Sequence, residues 1–170
     1  NFSDINDIKA DKLGMVYMNV ESDIRAGMAV AEKHNLRPTF ALYDPGFIRL
    51  GSAIAARYPK LKTPVYRFMF SDHFTFGFMP KRYGIDAYLA TLNDCDPGAP
   101  WMIAALKGDV TPIIPDAVAL GGHVRTGLED IVWGSEKTNV ELVEVAAKAI
   151  MKAGGELATA ADIRDETKSL

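Results

Sequence analysis

Cysteine is nearly missing from this sequence. Cys95 stands alone among 170 residues, so no disulfide can form within the chain, and a small residue beside a loop is its natural role ahead of a nucleophile. Histidine is almost as scarce: His34, His73 and His123 lie far apart, and no His-X-His pair occurs. Runs of Lys and Arg are lacking and the net charge is −3, which argues against a dedicated nucleic-acid binder with its basic stripe. Apolar runs fall well short of a membrane span, and no secretory pattern opens the chain. A cytoplasmic protein with no membrane partner is expected. Interdomain linkers, internal repeats and low-complexity tracts are also lacking, so residues 1–170 read as one domain. An initiator Met is absent: the chain opens on Asn1-Phe2, as expected of a processed protein or a piece of a longer one.

What the chain does have is apolar content, 48%, enough for one real core, arranged in alternating short strands and capped helices. A first helix is expected over Ser22 to His34, with Ile24, Met28 and Ala31 inward. "PTFALYD" (Pro38 to Asp44) reads as a strand. A helix follows, with Asp44 as N-cap, Pro45 at its first position, and Phe47, Leu50, Ile54 and Tyr58 at helical spacing. "PVYRFMF" (Pro64 to Phe70) and "WMIAAL" (Trp101 to Leu106) read as further strands, with a helix over Ile85 to Leu92 between them. Thr111-Pro112 opens a helix that stops at Gly121-Gly122. Thr138 and Glu141 form a capping-box pattern before a stripe of Val140, Val143, Ala147, Ile150 and Met151 that ends at Gly154. This alternation predicts an α/β fold with parallel strands.

"GGHVRTGLED" (Gly121 to Asp130) supplies a fourth strand with unusual content. Read with period two, His123, Arg125, Gly127 and Glu129 share one face, and Val124, Thr126 and Leu128 the other. The apolar set would pack on helices and the polar set would point into a barrel, with Glu129 and Asp130 at the C-terminal rim, where barrel enzymes place their chemistry. That favours half of a (β/α)₈ barrel over a small open sheet. Charges buried there cost several kcal/mol, by rough estimate, unless paired or bound to a metal. Glu129 suits a cation such as Zn²⁺. Asp130 suits a base, and Arg125 can hold it ionised or bind a substrate carboxylate. A structural Arg–carboxylate pair that closes the barrel explains the same residues equally well.

The motif "GGHVRTGLED", with "TNVELVEVAAKAI" and "ATAADIRDE" after it, resembles the C-terminal region of the β-keto acid cleavage enzymes. "NF", "RPTFALYDPG", "PVYRFMF" and "WMIAAL" follow in that family's order, as its fourth to seventh strands. The resemblance implies a zinc-dependent (β/α)₈ barrel that transfers carbon between a β-keto acid and acetyl-CoA, giving acetoacetate-derived and shortened acyl-CoA products. It implies Glu129 as a zinc ligand, Arg125 and Asp130 as the dyad that removes a proton from the keto acid, and Asn1 as a substrate contact. Thr39 stands where the family usually carries an acidic residue that in some members meets a cationic substrate group. A hydroxyl cannot neutralise an ammonium, so a neutral or polar β-keto acid is the expected substrate, with Thr39 among its contacts.

The family's remaining zinc ligands are two histidines in a His-X-His pattern on its second strand, which this sequence does not contain. A full barrel takes roughly 250 residues, so the chain is expected to form the C-terminal part of one, with missing N-terminal strands supplied elsewhere or by another subunit. The rival expectations are a non-catalytic half-barrel acting in assembly and another metal-assisted, aldolase-like barrel. "SDHFTFGFMPKRYG" (Ser71 to Gly84) reads as a lid or CoA-contacting loop through Lys81 and Arg82, or as the contact of a homo-oligomer. Ser71-Asp72-His73 spells a triad that adjacent positions on alternating faces rarely form. His34 suits a helix C-terminus, His123 an interior hydrogen bond, and Trp133 packing at the rim or at an interface.

Overall fold

The computed structural model describes residues 2–166, with side chains as far as Arg164. Asn1, named above as a substrate contact, lies outside the described residues. The elements in chain order are α1 (Ile5–Lys9), α2 (Glu21–Lys33), β1 (Thr39–Leu42), α3 (Gly46–Ala55), β2 (Val65–Phe70), α4 (Arg82–Cys95), β3 (Trp101–Ala105), a 3₁₀ turn (Thr111–Ile113), α5 (Ile114–Ala119), β4 (His123–Val124), α6 (Asn139–Lys152) and α7 (Ala160–Glu166). The strands form one parallel sheet in the order β1-β2-β3-β4. Each new strand lies beside the last, and right-handed crossovers repeated in one direction put the connecting helices on one face. That is the winding of a (β/α) barrel. A doubly wound sheet reverses its strand order and covers both faces with helices. The architecture is α/β and compatible with part of a TIM-like barrel.

Strand alternation sorts the side chains. Phe40 and Leu42, then Tyr66, Phe68 and Phe70, then Trp101, Ile103 and Ala105, face α3, α4 and α5 in a continuous core with Ile48, Ile85, Leu92 and Ile114. Tyr88 of α4 sits at the centre. Its ring stacks on Phe68 at 4.7 Å between centroids, and its hydroxyl reaches the carbonyls of Leu42 (3.1 Å) and Met69 (3.2 Å). One buried donor thus ties β1 to β2 at their C-terminal ends. Gly77 must be glycine on two counts: its φ is +53°, and an added Cβ would lie 2.7 Å from the Tyr88 hydroxyl.

Several expectations need correction. The buried face of α3 is Ile48, Gly51 and Ile54, while Phe47 and Leu50 stay part-exposed; the helix begins one residue later than expected, with Asp44 Oδ1 accepting from the Gly46 N–H at 2.9 Å. Helix α4 extends beyond Ile85 to Leu92 at both ends, to Arg82 and Cys95. The α6 capping box forms as read. Its inward face, however, is Leu142 and Ala146 with Ala149 and Ile150 beside them, and Val140, Val143 and Met151 are exposed. Small Ala146 lets α6 pack on α5 and the 3₁₀ turn, and that fit overrides the wider apolar stripe.

The largest correction concerns the fourth strand, read above as running to Glu129. Regular pairing stops at Val124, with one further bond from Arg125 N–H to the Ile103 carbonyl at 2.9 Å. The chain then turns, as the Gly127 carbonyl accepts from Asp130 N–H (3.1 Å) and Asn139 Oδ1 accepts from Leu128 N–H (3.3 Å). Alternation therefore does not place Glu129.

The N-terminal segment is anchored to the sheet's C-terminal rim. Phe2 bridges Met15, and Asp4 bridges Phe74. The buried Asp4 carboxylate pairs with Lys107 Nζ at 2.6 Å, and the same ammonium lies over the Trp133 ring at 5.2 Å and the Phe74 ring at 5.9 Å. Trp133 is thereby held at the rim, as expected. Lys107 bonding holds the Asp4 carboxyl below the usual carboxylate range.

Two tests follow from these anchors. Tyr88→Phe keeps the stack but removes the donor, and should cost about 1–3 kcal/mol in chemical denaturation, with no loss of helix signal in the folded state. The Asp4 contribution has the sign of a depressed carboxylate: present above the ordinary pKa, lost as pH falls through the lowered folded value. Lys107→Met should therefore move the acid-unfolding midpoint, followed by tryptophan fluorescence, to higher pH.

Candidate active site

The face of the sheet turned away from the helices carries Thr39, Ala41 and Tyr43 from β1 and its end, Arg67 and Met69 from β2, Met102 and Ala104 from β3, and His123 and Arg125 from β4 and its end. Its charged centre lies where β4 gives way to the turn. Arg125 Nε sits 3.2 Å from Asp130 Oδ1 and 3.3 Å from Oδ2, and its Nη2 pairs with Glu129 Oε2. Asp130 is buried, at 4% exposure. The Ala105 N–H donates to its Oδ1 at 3.2 Å, and the Gly108 N–H donates to its backbone carbonyl at 2.9 Å. The end of β3 thus fixes both the carboxylate and the backbone that bears it. Desolvation is the dominant influence on this carboxyl and raises its pKa, against the opposing pull of Arg125.

Glu129 is placed differently. Its side chain is 68% exposed at the tip of the turn, tethered only by Arg125. The structure therefore brings together three of the residues singled out in the sequence, Arg125, Glu129 and Asp130, but buries only one of the two carboxylates. Thr39 is apart from them, exposed at the N-terminal end of β1. It lines a cavity of about 670 Å³ beside Ala41, Tyr43 and Phe47 that does not include Arg125 or Asp130. The dyad itself lies on the face turned away from α3, α4 and α5, beside the buried Met69 and Ala104.

A residue that the sequence reading passed over belongs to the same face. Arg67 lies in register with Ala41 on one side and Met102 on the other. Desolvation lowers its pKa, and the like charge of Arg125 adds to this, with Tyr43, Glu129 and Asp130 opposing. The signal for it was present in "PVYRFMF": a charge at the position opposite two core aromatics.

The donors present do not make a zinc site. Among the described residues no group of three or more His, Cys, Asp and Glu side chains could hold a metal, whereas such sites use three or four protein ligands. His34 is the C-cap of α2, as expected. His73 Nδ1 lies 3.9 Å from Asp4. His123 is exposed, contrary to the interior bond expected of it. Glu129 remains the one candidate ligand.

The loop from Ser71 to Gly84 packs on its own chain. Phe76 meets Phe2 and Tyr43, and Phe78 meets Tyr88, leaving Met79 and Tyr83 exposed. Arg82 is paired with Asp86 (2.8 Å) and Asp116 (3.3 Å), so it is not a free phosphate ligand. Ser71 is structural: its hydroxyl donates to the Leu106 carbonyl and accepts from the His73 and Phe74 N–H groups.

Comparison with known proteins agrees with the resemblance in the motif. The profile of the beta-keto acid cleavage enzyme family matches residues 1–168. A 3-keto-5-aminohexanoate cleavage enzyme from Fusobacterium nucleatum subsp. nucleatum is 26% identical over 157 residues, covering 88% of this chain and 54% of that protein. The protein of the same name from Acetoanaerobium sticklandii is 25% identical over 158 residues, covering 88% and 55%. The chain spans about half the length of the curated relatives it matches. With a match across nearly all its residues, the chain belongs to the beta-keto acid cleavage enzyme family.

Proposed function

We propose that this chain supplies the acid–base wall of an enzyme that cleaves a β-keto acid against acetyl-CoA. The observation that carries the reading is the buried Asp130 carboxylate, held by Arg125 and the Ala105 N–H at the C-terminal end of the sheet, in a chain of this family. Asp130 takes the proton from the carbon between the carboxyl and the ketone. A raised pKa suits a base, because proton affinity grows with it. Arg125 keeps the carboxylate oriented and offsets the negative charge as it passes to the enolate. The enolate carbon then bonds to the thioester carbonyl of acetyl-CoA and CoA thiolate leaves. Attack of that thiolate on the original ketone carbon breaks the adjacent carbon–carbon bond, giving a shortened acyl-CoA and the enolate of acetoacetate, which takes the proton back from Asp130.

The family resemblance adds zinc, for which Glu129 is this chain's donor. Its other ligands would come from strands that complete the barrel, within a longer protein or from another subunit. The chemistry assigned here rests on Asp130 and Arg125 alone. Thr39 and Ala41 place no carboxylate on the β1 face, which supports a substrate without an ammonium group. A second reading, in which the half-barrel serves assembly, is favoured by the free outer edges of β1 and β4.

Hydrogen–deuterium exchange at the keto acid's acidic carbon, followed by NMR on natively purified material, tests the reading directly. Asp130→Asn should slow enzyme-catalysed exchange by about 10²-fold or more while leaving the thermal transition at neutral pH no lower than wild type, since burial already disfavours the charged form. Exchange at the wild-type rate would remove Asp130 from the chemistry. Elemental analysis of the same material should find about one zinc per chain, lost in Glu129→Gln; a folded, metal-free wild type would favour the assembly reading.

A further inference from the structure

The face that carries the dyad holds a second guanidinium for which the acid–base reading has no use. Arg67 alternates with Tyr66 and Phe68, both buried against the helices, so its side chain leaves β2 on the helix-free face. Its neighbours across the strands, Ala41 and Met102, offer no side-chain acceptor. Its Nε is buried without a hydrogen-bond partner, and among the described residues it forms no ion pair. Arg125 is its opposite, forked between Asp130 and Glu129. Two cations thus share one face, one met by two carboxylates and the other by none. A buried guanidinium N–H without an acceptor is costly, and a carboxylate satisfies its fork in two parallel bonds.

We propose that Arg67 determines substrate specificity by holding a second carboxylate, so that the keto acids taken here are β-keto dicarboxylates. The inference rests on the reading that this face is where the keto acid is cleaved. Geometry separates the two ends of such a substrate. Arg67 lies two residues before Met69, and Met69 is level with Ala104, the residue that Arg125 adjoins when the β3–β4 ladder is continued by one step. The bases of the two arginines are therefore about 7 Å apart along the strand direction, one interior layer. The carboxylate next to the reacting carbon stays beside Asp130, and a group one layer deeper meets the far end of the molecule. No acidic side chain from β1 competes for Arg67 on this face, since Thr39 and Ala41 stand there.

Calorimetric titration of natively purified protein with 3-oxopentanedioate and with the length-matched monoacid 3-oxopentanoate tests this, using wild type, Arg67→Gln and Arg67→Lys. Wild type should bind the diacid about tenfold tighter or more, the strength of a charge-assisted bond. Arg67→Gln should bind both acids alike, and Arg67→Lys should recover part of the preference. Equal affinities in wild type, a preference unchanged in Arg67→Gln, or no saturable binding of either acid overturns the inference. So does loss of the folded state in both variants, which would make Arg67 the partner of a protein carboxylate. Cleavage is scored separately. A diacid preference that follows Arg67 without cleavage of any keto acid leaves the anion site standing and ends the cleavage reading. Cleavage of neutral keto acids untouched by Arg67→Gln does the reverse.

Discussion

Right-handed crossovers between strands laid down in consecutive order leave one face of this sheet without helices, and the remaining features depend on that. A strand covered on one side by α3, α4 and α5 must send its large apolar residues there, as Phe68, Phe70 and Ile103 do. Alternation then hands every second position to the other face, where the chain can carry Arg67, Arg125 and, through the turn after β4, Asp130. Charge is tolerable on that side where it is paired, as Asp130 is with Arg125 and the Ala105 N–H. The division of labour is thus set by backbone geometry before any side chain is chosen.

Within that face, stability and reactivity pull in opposite directions. Burial of Asp130 disfavours its ionised form, and Arg125 and the Ala105 N–H recover only part of the difference. A surface position would have let water solvate the carboxylate at no such cost, but with a weaker base. Glu129, the residue just before Asp130 in the turn and largely exposed, has no such conflict. The same arginine touches both carboxylates, so that Arg125 joins a buried group to an exposed one.

How much of this was legible in the sequence varies by kind of signal. The strand–helix alternation, the capping box at Thr138 and Glu141, and the Gly121 stop were readable because each rests on local chemistry that few other arrangements satisfy. The association of Arg125, Glu129 and Asp130 was readable because six consecutive chain positions span it. The length of β4 was not. Period two in "HVRTGLE" holds as well for a strand as for a two-residue strand followed by a turn, and the choice was made by Asn139, which caps the N–H of Leu128 eleven positions before it. The α6 stripe failed for a similar reason: a helix with apolar residues on several sides leaves the buried side to the shape of its partner, α5. Arg67 went unnoticed because aromatic neighbours made its strand look uniformly buried, when alternation puts it on the face the aromatics avoid.

Completion of the fold and completion of the site are one problem here. Among the described residues no strand pairs with the outer edges of β1 and β4, and apolar side chains between Leu13 and Val20 stay exposed, Leu13 at 99%. Both invite further structure. Additional parallel strands that pair with those edges would at the same time put a second wall across from Arg125 and Asp130, exclude water from the dyad, and strengthen every charge interaction on the face. A carboxylate whose pKa is already raised by burial would be pushed further in the same direction by that closure, opposed by whatever cations the new wall brings. Under the proposed reading the proton affinity of Asp130 would be set jointly by the core that fixes Ala105 beneath it and by any strands that cover it, and assembly of the sheet would determine the chemistry as well as its stability.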